Sequence, residues 1–109
     1  MSEELEQTIF QMILHGGNGK SLSIEAVARA KIGEFSEANK KLRIAEEELL
    51  KAHHFQTSLI QNEIKGTKTV PSLLMIHAQD HLMNAMTTKD LAVEIVDLYQ
   101  LFNRGGVNS

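Results

Sequence analysis

A short polar run, His77-Ala78-Gln79-Asp80-His81, interrupts an otherwise apolar segment in the last third of the 109-residue chain. Residues three and four apart lie on one face of a helix, so His77, Asp80 and His81 are expected to share a polar ridge. Asn84 extends that ridge by one further residue. Two imidazoles, a carboxylate and two amides gathered in so small an area favour a functional site over isolated structural side chains.

Two kinds of chemistry fit this ridge. The first is metal-dependent hydrolysis, because His77 and His81 stand at i and i+4 and the pattern His-x-x-Asp-His resembles an inverted zinc-hydrolase motif with Asp replacing Glu. That hypothesis lacks an obvious third ligand. The second is phosphoryl transfer, because an imidazole with a pKa near ~6.5 is largely neutral and nucleophilic at cytoplasmic pH. A third hypothesis is a non-catalytic helical adaptor, in which the ridge serves only assembly.

The composition limits the protein classes that remain. The chain has no Cys, which excludes a disulfide scaffold, a thiolate zinc site and a Cys nucleophile. Five aromatic residues and one Pro are little material for a β-sandwich or barrel. The net charge of −3, with both signs interspersed, argues against a nucleic-acid partner. No apolar run reaches the roughly 18 residues of a membrane span, and the acidic start is unlike a signal peptide. We expect one cytoplasmic domain over residues 1–109, without direct membrane insertion.

Helix-forming segments separated by glycine or proline predict four helical pieces, at about residues 3–15, 21–33, 36–64 and 71–102. Ser2 and Ser36 are expected to be N-caps, and Pro71 suits the first turn of the last helix. Gly33 is expected to end the second piece. The glycines within Gly16–Gly19 are expected to interrupt what is otherwise one first helix, because glycine loses the most backbone freedom on ordering.

Apolar stripes then predict how the helices pack. The third piece has heptad spacing through Ala38, Leu42, Ala45, Leu49, Ala52, Gln56 and Leu59. The last piece has a similar stripe through Met75, Ala78, Leu82, Ala85, Ala92, Val96 and Tyr99, and a second apolar line through Leu91, Ile95, Leu98 and Phe102. A helix that is apolar on more than one side is usually covered on more than one side. The prediction is an all-α, antiparallel three-helix bundle that self-associates.

The segment Ser72–Met83 resembles the active-site helix of the IIA components of the lactose/cellobiose/diacetylchitobiose phosphotransferase systems. Lys51–Thr57 is similar to that family's Ala-His-x-x-Gln-Thr stretch in the second helix. Gly33–Phe35 is similar to its Gly-Asp-Phe turn, and Lys89-Asp90 also fits. The resemblance therefore covers nearly the whole chain.

This resemblance implies a three-helix subunit that assembles as a homotrimer. It implies that His77 accepts a phosphoryl group from phospho-HPr and passes it to a Cys of the IIB component, during uptake of a disaccharide of the lactose/cellobiose/chitobiose class. Asp80 matches the Asp at the family's trimer axis, where three copies surround one metal ion, typically Mg²⁺. Such a cation would neutralise three carboxylates that otherwise repel one another. Gln79 and His81 match positions beside the active His and are expected to support it.

Two further histidines stand outside the ridge. His53 matches a family position on one polar face of the second helix, and His54 follows it directly. We interpret His53 as a surface or packing side chain, because His is often partly exposed. His15, beside the glycine-rich segment, is interpreted in the same way.

Overall fold

Three long α-helices make up the computed structural model, which describes residues 2–66 and 71–104. They are α1 (Glu3–Lys31), α2 (Phe35–Ile64) and α3 (Leu73–Arg104). The helices run antiparallel in sequence order and form an elongated bundle of 61 × 21 × 19 Å. No strand occurs in the described ranges. The predicted all-α three-helix fold is confirmed, and no described helix is long and apolar enough to cross a membrane.

Both predicted ends of α1 are confirmed. The Oγ of Ser2 accepts a hydrogen bond from the backbone N–H of Leu5 at 3.1 Å, as an N-cap does. At the other end Gly33 has φ +83° and donates its N–H to the carbonyl oxygen of Ala30 at 3.0 Å. This left-handed conformation suits glycine and turns the chain sharply into α2.

The starts of α2 and α3 differ by a residue or two from the prediction. Helix α2 begins at Phe35, and Glu34 is its N-cap without a side-chain hydrogen bond, so Ser36 is not the cap. Before α3, the Oγ of Ser72 accepts a hydrogen bond from the backbone N–H of Met75 at 3.1 Å. Ser72 therefore caps the helix, and Pro71 precedes the cap instead of occupying the first turn.

The predicted interruption of the first helix near Gly16–Gly19 is wrong, because α1 continues through these residues without a break. Its buried positions recur at alternating steps of three and four: Ile9, Met12, Gly16, Gly19, Ser23, Ala26 and Ala30. Glycine is used here for close packing. A Cβ on Gly19 would lie 2.5 Å from the Cγ of Leu49, inside contact distance. Packing against α2 and α3 thus offsets the roughly 1 kcal/mol that each helical glycine costs.

The predicted inner stripes of α2 and α3 are confirmed. Two core clusters occupy the two ends of the bundle. One contains Ile9, Met12, Leu49, Ala52, Ala78, Leu82 and Ala85; the other contains Ala26, Ala30, Ala38, Leu42, Ala92 and Val96. Lys89 lies in the α3 stripe and forms an ion pair with Glu46 of α2.

Within the described part of the chain, the second apolar line of α3 is left uncovered. Leu91, Ile95, Leu98 and Phe102 are each exposed, with 59% of Leu91 open to solvent. Hydrophobic burial within one chain therefore does not account for this face, which is consistent with the predicted self-association.

Candidate functional site

The two histidines of the polar ridge lie side by side on α3. His77 is exposed, whereas His81, one turn further on, is partly buried. Their rings are nearly parallel, with centroids 6.0 Å apart and an interplanar angle of 19°. The structure thus brings together the two imidazoles that the sequence placed at i and i+4, and leaves His77 open to a partner.

His81 is seated against the glycine backbone of α1. A Cβ on Gly17 would lie 3.3 Å from the Nε2 of His81, and one on Gly16 would lie 3.5 Å from its Cδ2. From the sequence, these glycines are predicted only to break the helix. The spacing of three and four residues that runs through Gly16 could have placed Gly16 on the buried face of α1, but it gives no sign of the contact with His81.

Gln79 points towards α2, across the helix from the ridge. The Nε2 of Gln56 donates to the Oε1 of Gln79 at 2.6 Å, and Gln56 itself is buried. Because residues two apart differ by about 200° around a helix, Gln79 lies on nearly the opposite side from His77. Within one chain the Gln56–Gln79 bond ties α2 to the site helix, and direct support of His77 by Gln79 stays a prediction.

Asp80 is exposed on the ridge and accepts a long hydrogen bond from the Nδ2 of Asn84 at 3.5 Å. Over residues 2–66 and 71–104, no group of three or more His, Asp or Glu side chains is placed to hold a metal ion. Within these ranges, one chain therefore provides neither the third ligand required by the zinc-hydrolase hypothesis nor a complete magnesium site. The donors at Asp80 and Asn84 are oxygens, the type that Mg²⁺ prefers, but a single chain contributes too few.

His53 lies apart from the ridge histidines. It lines a groove of about 160 Å³ between α2 and α3, together with Leu50, Met86 and Asp90 among others, and His77 is not part of that lining. The His54 ring is oriented edge-on to the Phe55 ring, with the two ring centroids 6.2 Å apart. Both histidines are exposed, as the interpretation of His53 as a surface residue requires.

An interhelical network around Glu48 was not expected from the sequence. Its carboxylate accepts a hydrogen bond from the Nδ2 of Asn18 at 2.7 Å. The same carboxylate lies 3.2 Å from the Nδ1 of His15 and 3.4 Å from the Nζ of Lys51. Burial alone would raise the pKa of Glu48, but the hydrogen bonds from Asn18 and Lys51 and the charges of His15 and Lys51 together lower it. The His15 ring also stacks on Phe55, so this histidine joins α1 to α2.

Comparison with known families decides between the hypotheses. The model of the family described as "PTS system, Lactose/Cellobiose specific IIA subunit" matches residues 7–100. The chain belongs to this family. It is thus a phosphotransferase-system component, and this membership contradicts the metallohydrolase and adaptor alternatives.

Curated relatives agree with this assignment. The lichenan-specific phosphotransferase enzyme IIA component of Bacillus subtilis is 66% identical over 100 residues, covering 92% of this chain and 91% of the relative. The N,N'-diacetylchitobiose-specific EIIA component of Escherichia coli K12 is 35% identical over 99 residues, covering 91% of this chain and 85% of the relative.

Solved structures of IIA proteins share the fold. The crystal structure of the cellobiose-specific enzyme IIA from Bacillus anthracis has a TM-score of 0.92 at 50% identity and covers 97% of each chain. The solution structure of the Escherichia coli IIA(chitobiose)–HPr complex has a TM-score of 0.80 at 33% identity, covering 94% of this chain and 99% of the matched one. The three-helix arrangement described above is therefore that of the IIA family.

Proposed function

We propose that this IIA protein carries a phosphoryl group on His77. The observation that carries the proposal is an exposed imidazole on a rigid, well-packed helix, within a run that resembles the family's active-site helix. A neutral ring nitrogen of His77 attacks the phosphorus of a phosphohistidine donor, so that one P–N bond forms as the donor's P–N bond breaks. The donor imidazole leaves with the electron pair of the broken bond. Because both bonds are phosphoramidates, the step is close to balanced in energy and readily reversed.

The donor that we propose is phospho-HPr, and the acceptor is a Cys thiolate of the IIB component. The related Escherichia coli IIA(chitobiose) has been solved in complex with HPr, at a TM-score of 0.80 to this chain. In the second step the thiolate attacks the phosphorus, and the P–S bond forms as the P–N bond to His77 breaks. The His77 imidazole leaves with the electron pair of the broken bond and is again a neutral ring. The relatives named for cellobiose and N,N'-diacetylchitobiose support a disaccharide of the lactose/cellobiose/chitobiose class as the transported sugar. We place this single domain in the cytoplasm, where phospho-HPr is formed.

The assembly that we propose is a homotrimer built around α3. The exposed apolar line Leu91, Ile95, Leu98 and Phe102 runs along the C-terminal half of the helix, and exposed Ile76 and Met83 continue an apolar face towards its start. Exposed apolar surface of this length on one helix is typical of a helix that packs against copies of itself. Three-fold packing along this face would cover it and bring three Asp80 side chains towards the axis.

A Mg²⁺ ion at that axis is part of the same proposal. One chain offers an Asp80 carboxylate with Asn84 beside it, and three chains would offer three carboxylates, an all-oxygen donor set. Mutual repulsion among those carboxylates would be cancelled by the cation. The ion would serve assembly, since the phosphoryl chemistry proposed for His77 needs only the imidazole and its partners.

The proposed function is tested by reconstituting the relay from phosphoenolpyruvate, enzyme I and HPr with the purified chain. We expect stoichiometric phosphate uptake by the wild-type protein and none by His77→Gln, while circular dichroism shows equal helix content in both. Added IIB component should discharge the phosphorylated wild type. Undiminished uptake by His77→Gln would refute the assignment.

A further inference from the structure

The His81 side chain occupies a recess formed where α1 presents bare backbone. Two consecutive glycines, Gly16 and Gly17, face the ring, and Gly16 also packs against Leu82. Any other residue at position 17 would place a Cβ 3.3 Å from the His81 Nε2, closer than most real contacts of this kind. The ring also lies nearly parallel to that of His77, with the two centroids 6.0 Å apart. The bare backbone of α1 therefore limits where the His81 imidazole can lie beside His77.

The effects of the two glycines on His81 can be separated. At Gly16 the added Cβ would make ordinary contacts, 3.5 Å from the His81 Cδ2 and 3.7 Å from the Leu82 Cα. At Gly17 the added Cβ would meet, among residues 2–66 and 71–104, only His81, at 3.3 Å from Nε2 and 4.0 Å from Cε1. A Cβ at position 17 thus presses on the nitrogen edge of the imidazole and on no other described side chain within 4 Å. Gly17 is partly exposed, so this pressure does not come from closing the core.

We propose that Gly17 is a positioning residue for phosphoryl transfer, which acts by leaving room for His81 to lie parallel to His77. The inference rests on the proposed function of His77. An imidazole beside a phosphorylated imidazole offers an N–H donor to a group that carries negative charge, and such charge-assisted hydrogen bonds are strong and directional. A Cβ added at position 17 presses on that donor ring, and no His77 atom lies within 4 Å of it.

The test measures the rate of phosphoryl uptake from phospho-HPr in two graded variants, Gly17→Ala and Gly17→Leu. Misplacement of a reacting or supporting group by about 1 Å costs on the order of a hundredfold in rate. Because alanine shifts the ring by less, we expect a loss of several-fold for Gly17→Ala and of roughly tenfold to a hundredfold for Gly17→Leu. Ser21→Leu, an exposed position on the same helix, is the matched control and should retain the wild-type rate.

Three further readouts separate positioning from a merely structural effect. In a His81→Ala background, Gly17→Leu should cause no additional loss, because the group through which it acts is absent. The imidazole NMR resonances of His81 should move in Gly17→Ala and stay unchanged in Ser21→Leu. The melting temperature of Gly17→Ala should equal or exceed that of the wild type, since alanine favours helix.

Equal losses in the two backgrounds, unchanged His81 resonances or an unchanged rate in Gly17→Leu would each overturn the inference. These outcomes differ from failure of the proposed function. If the wild type takes up no phosphate, His77 is not the carrier and both statements fall. If the wild type is phosphorylated and the Gly17 variants behave like it, only the role of Gly17 is refuted.

Discussion

The side chain of Gln56 in α2 donates a hydrogen bond of 2.6 Å to the side chain of Gln79 in α3. Gln79 stands two residues after His77 in the chain. We expect Gln56→Ala to lower the free energy of unfolding by about 1–2 kcal/mol, because the Gln79 amide loses its partner. The double variant Gln56→Leu/Gln79→Leu should recover most of that loss, since neither polar group is then left unpaired. Urea denaturation at one fixed protein concentration measures both. A double variant at least as unstable as Gln56→Ala would show that an unpaired Gln79 amide is not the cause of the loss.

The close approach of α1 to α2 at Gly19 gives a second prediction. A leucine at this position cannot fit, because even a Cβ would lie 2.5 Å from Leu49. We expect Gly19→Leu to cost more than about 3 kcal/mol, which is beyond the usual overpacking range of 1–3 kcal/mol. Ser21→Leu, on the exposed side of the same helix, should stay within about 0.5 kcal/mol of the wild type. Thermal melts of the two leucine variants decide this, and equal melting temperatures would mean that α1 and α2 do not meet at Gly19.

The glycines of α1 are the part of the fold that could not be predicted from the sequence. The inner stripes of α2 and α3 consist mostly of Leu, Ala and Val at heptad spacing, so their buried faces could be predicted from hydrophobic periodicity. In α1 the same spacing continues through Gly16, Gly19 and Ser23, which are not hydrophobic. Local propensity therefore predicted a break, while tertiary packing against Leu49 and Leu82 keeps the helix continuous.

The candidate site likewise has one part that could be predicted from the sequence and one part that could not. His77 and His81 lie on one helix, so their proximity follows from helical geometry alone. Gly17 against His81 and Gln56 against Gln79 join different helices, and their contacts depend on the relative rotation and axial shift of those helices. A single sequence contains no direct signal for that register.

The Glu48 network predicts a pH dependence of stability. Because the pKa of Glu48 is lowered in the folded state, its contribution is complete above its ordinary value of 4.5 and is lost as pH falls through the folded value. We expect wild type to be about 1 kcal/mol more stable than Glu48→Gln at neutral pH, with the two curves converging in acid. Urea denaturation over a pH series measures the difference. A constant gap down to the lowest pH would show that the Glu48 charge does not contribute.

Asp80 links the trimer to its proposed cation. We expect a trimer by sedimentation equilibrium at micromolar concentration. Chelation by EDTA should weaken it, because the three Asp80 carboxylates then repel one another without the cation. Asp80→Leu should remain trimeric without metal, because packed apolar groups can replace a buried ionic cluster, whereas Asp80→Lys should dissociate. A wild-type monomer throughout that range would remove the trimer and the shared ion. Thermal melts indifferent to both EDTA and Asp80→Lys would place Asp80 in solvent.

The identity of the phosphorylated residue tests the central claim most directly. The chain has five histidines, and exposed His53 and partly buried His81 are the natural competitors of His77. After incubation with phosphoenolpyruvate, enzyme I and HPr, peptide mass spectrometry under basic conditions should locate one phosphate per chain, on His77, with the acid-labile and base-stable linkage of a phosphoramidate. Phosphate on His81 or His53 with His77 unmodified would contradict the account.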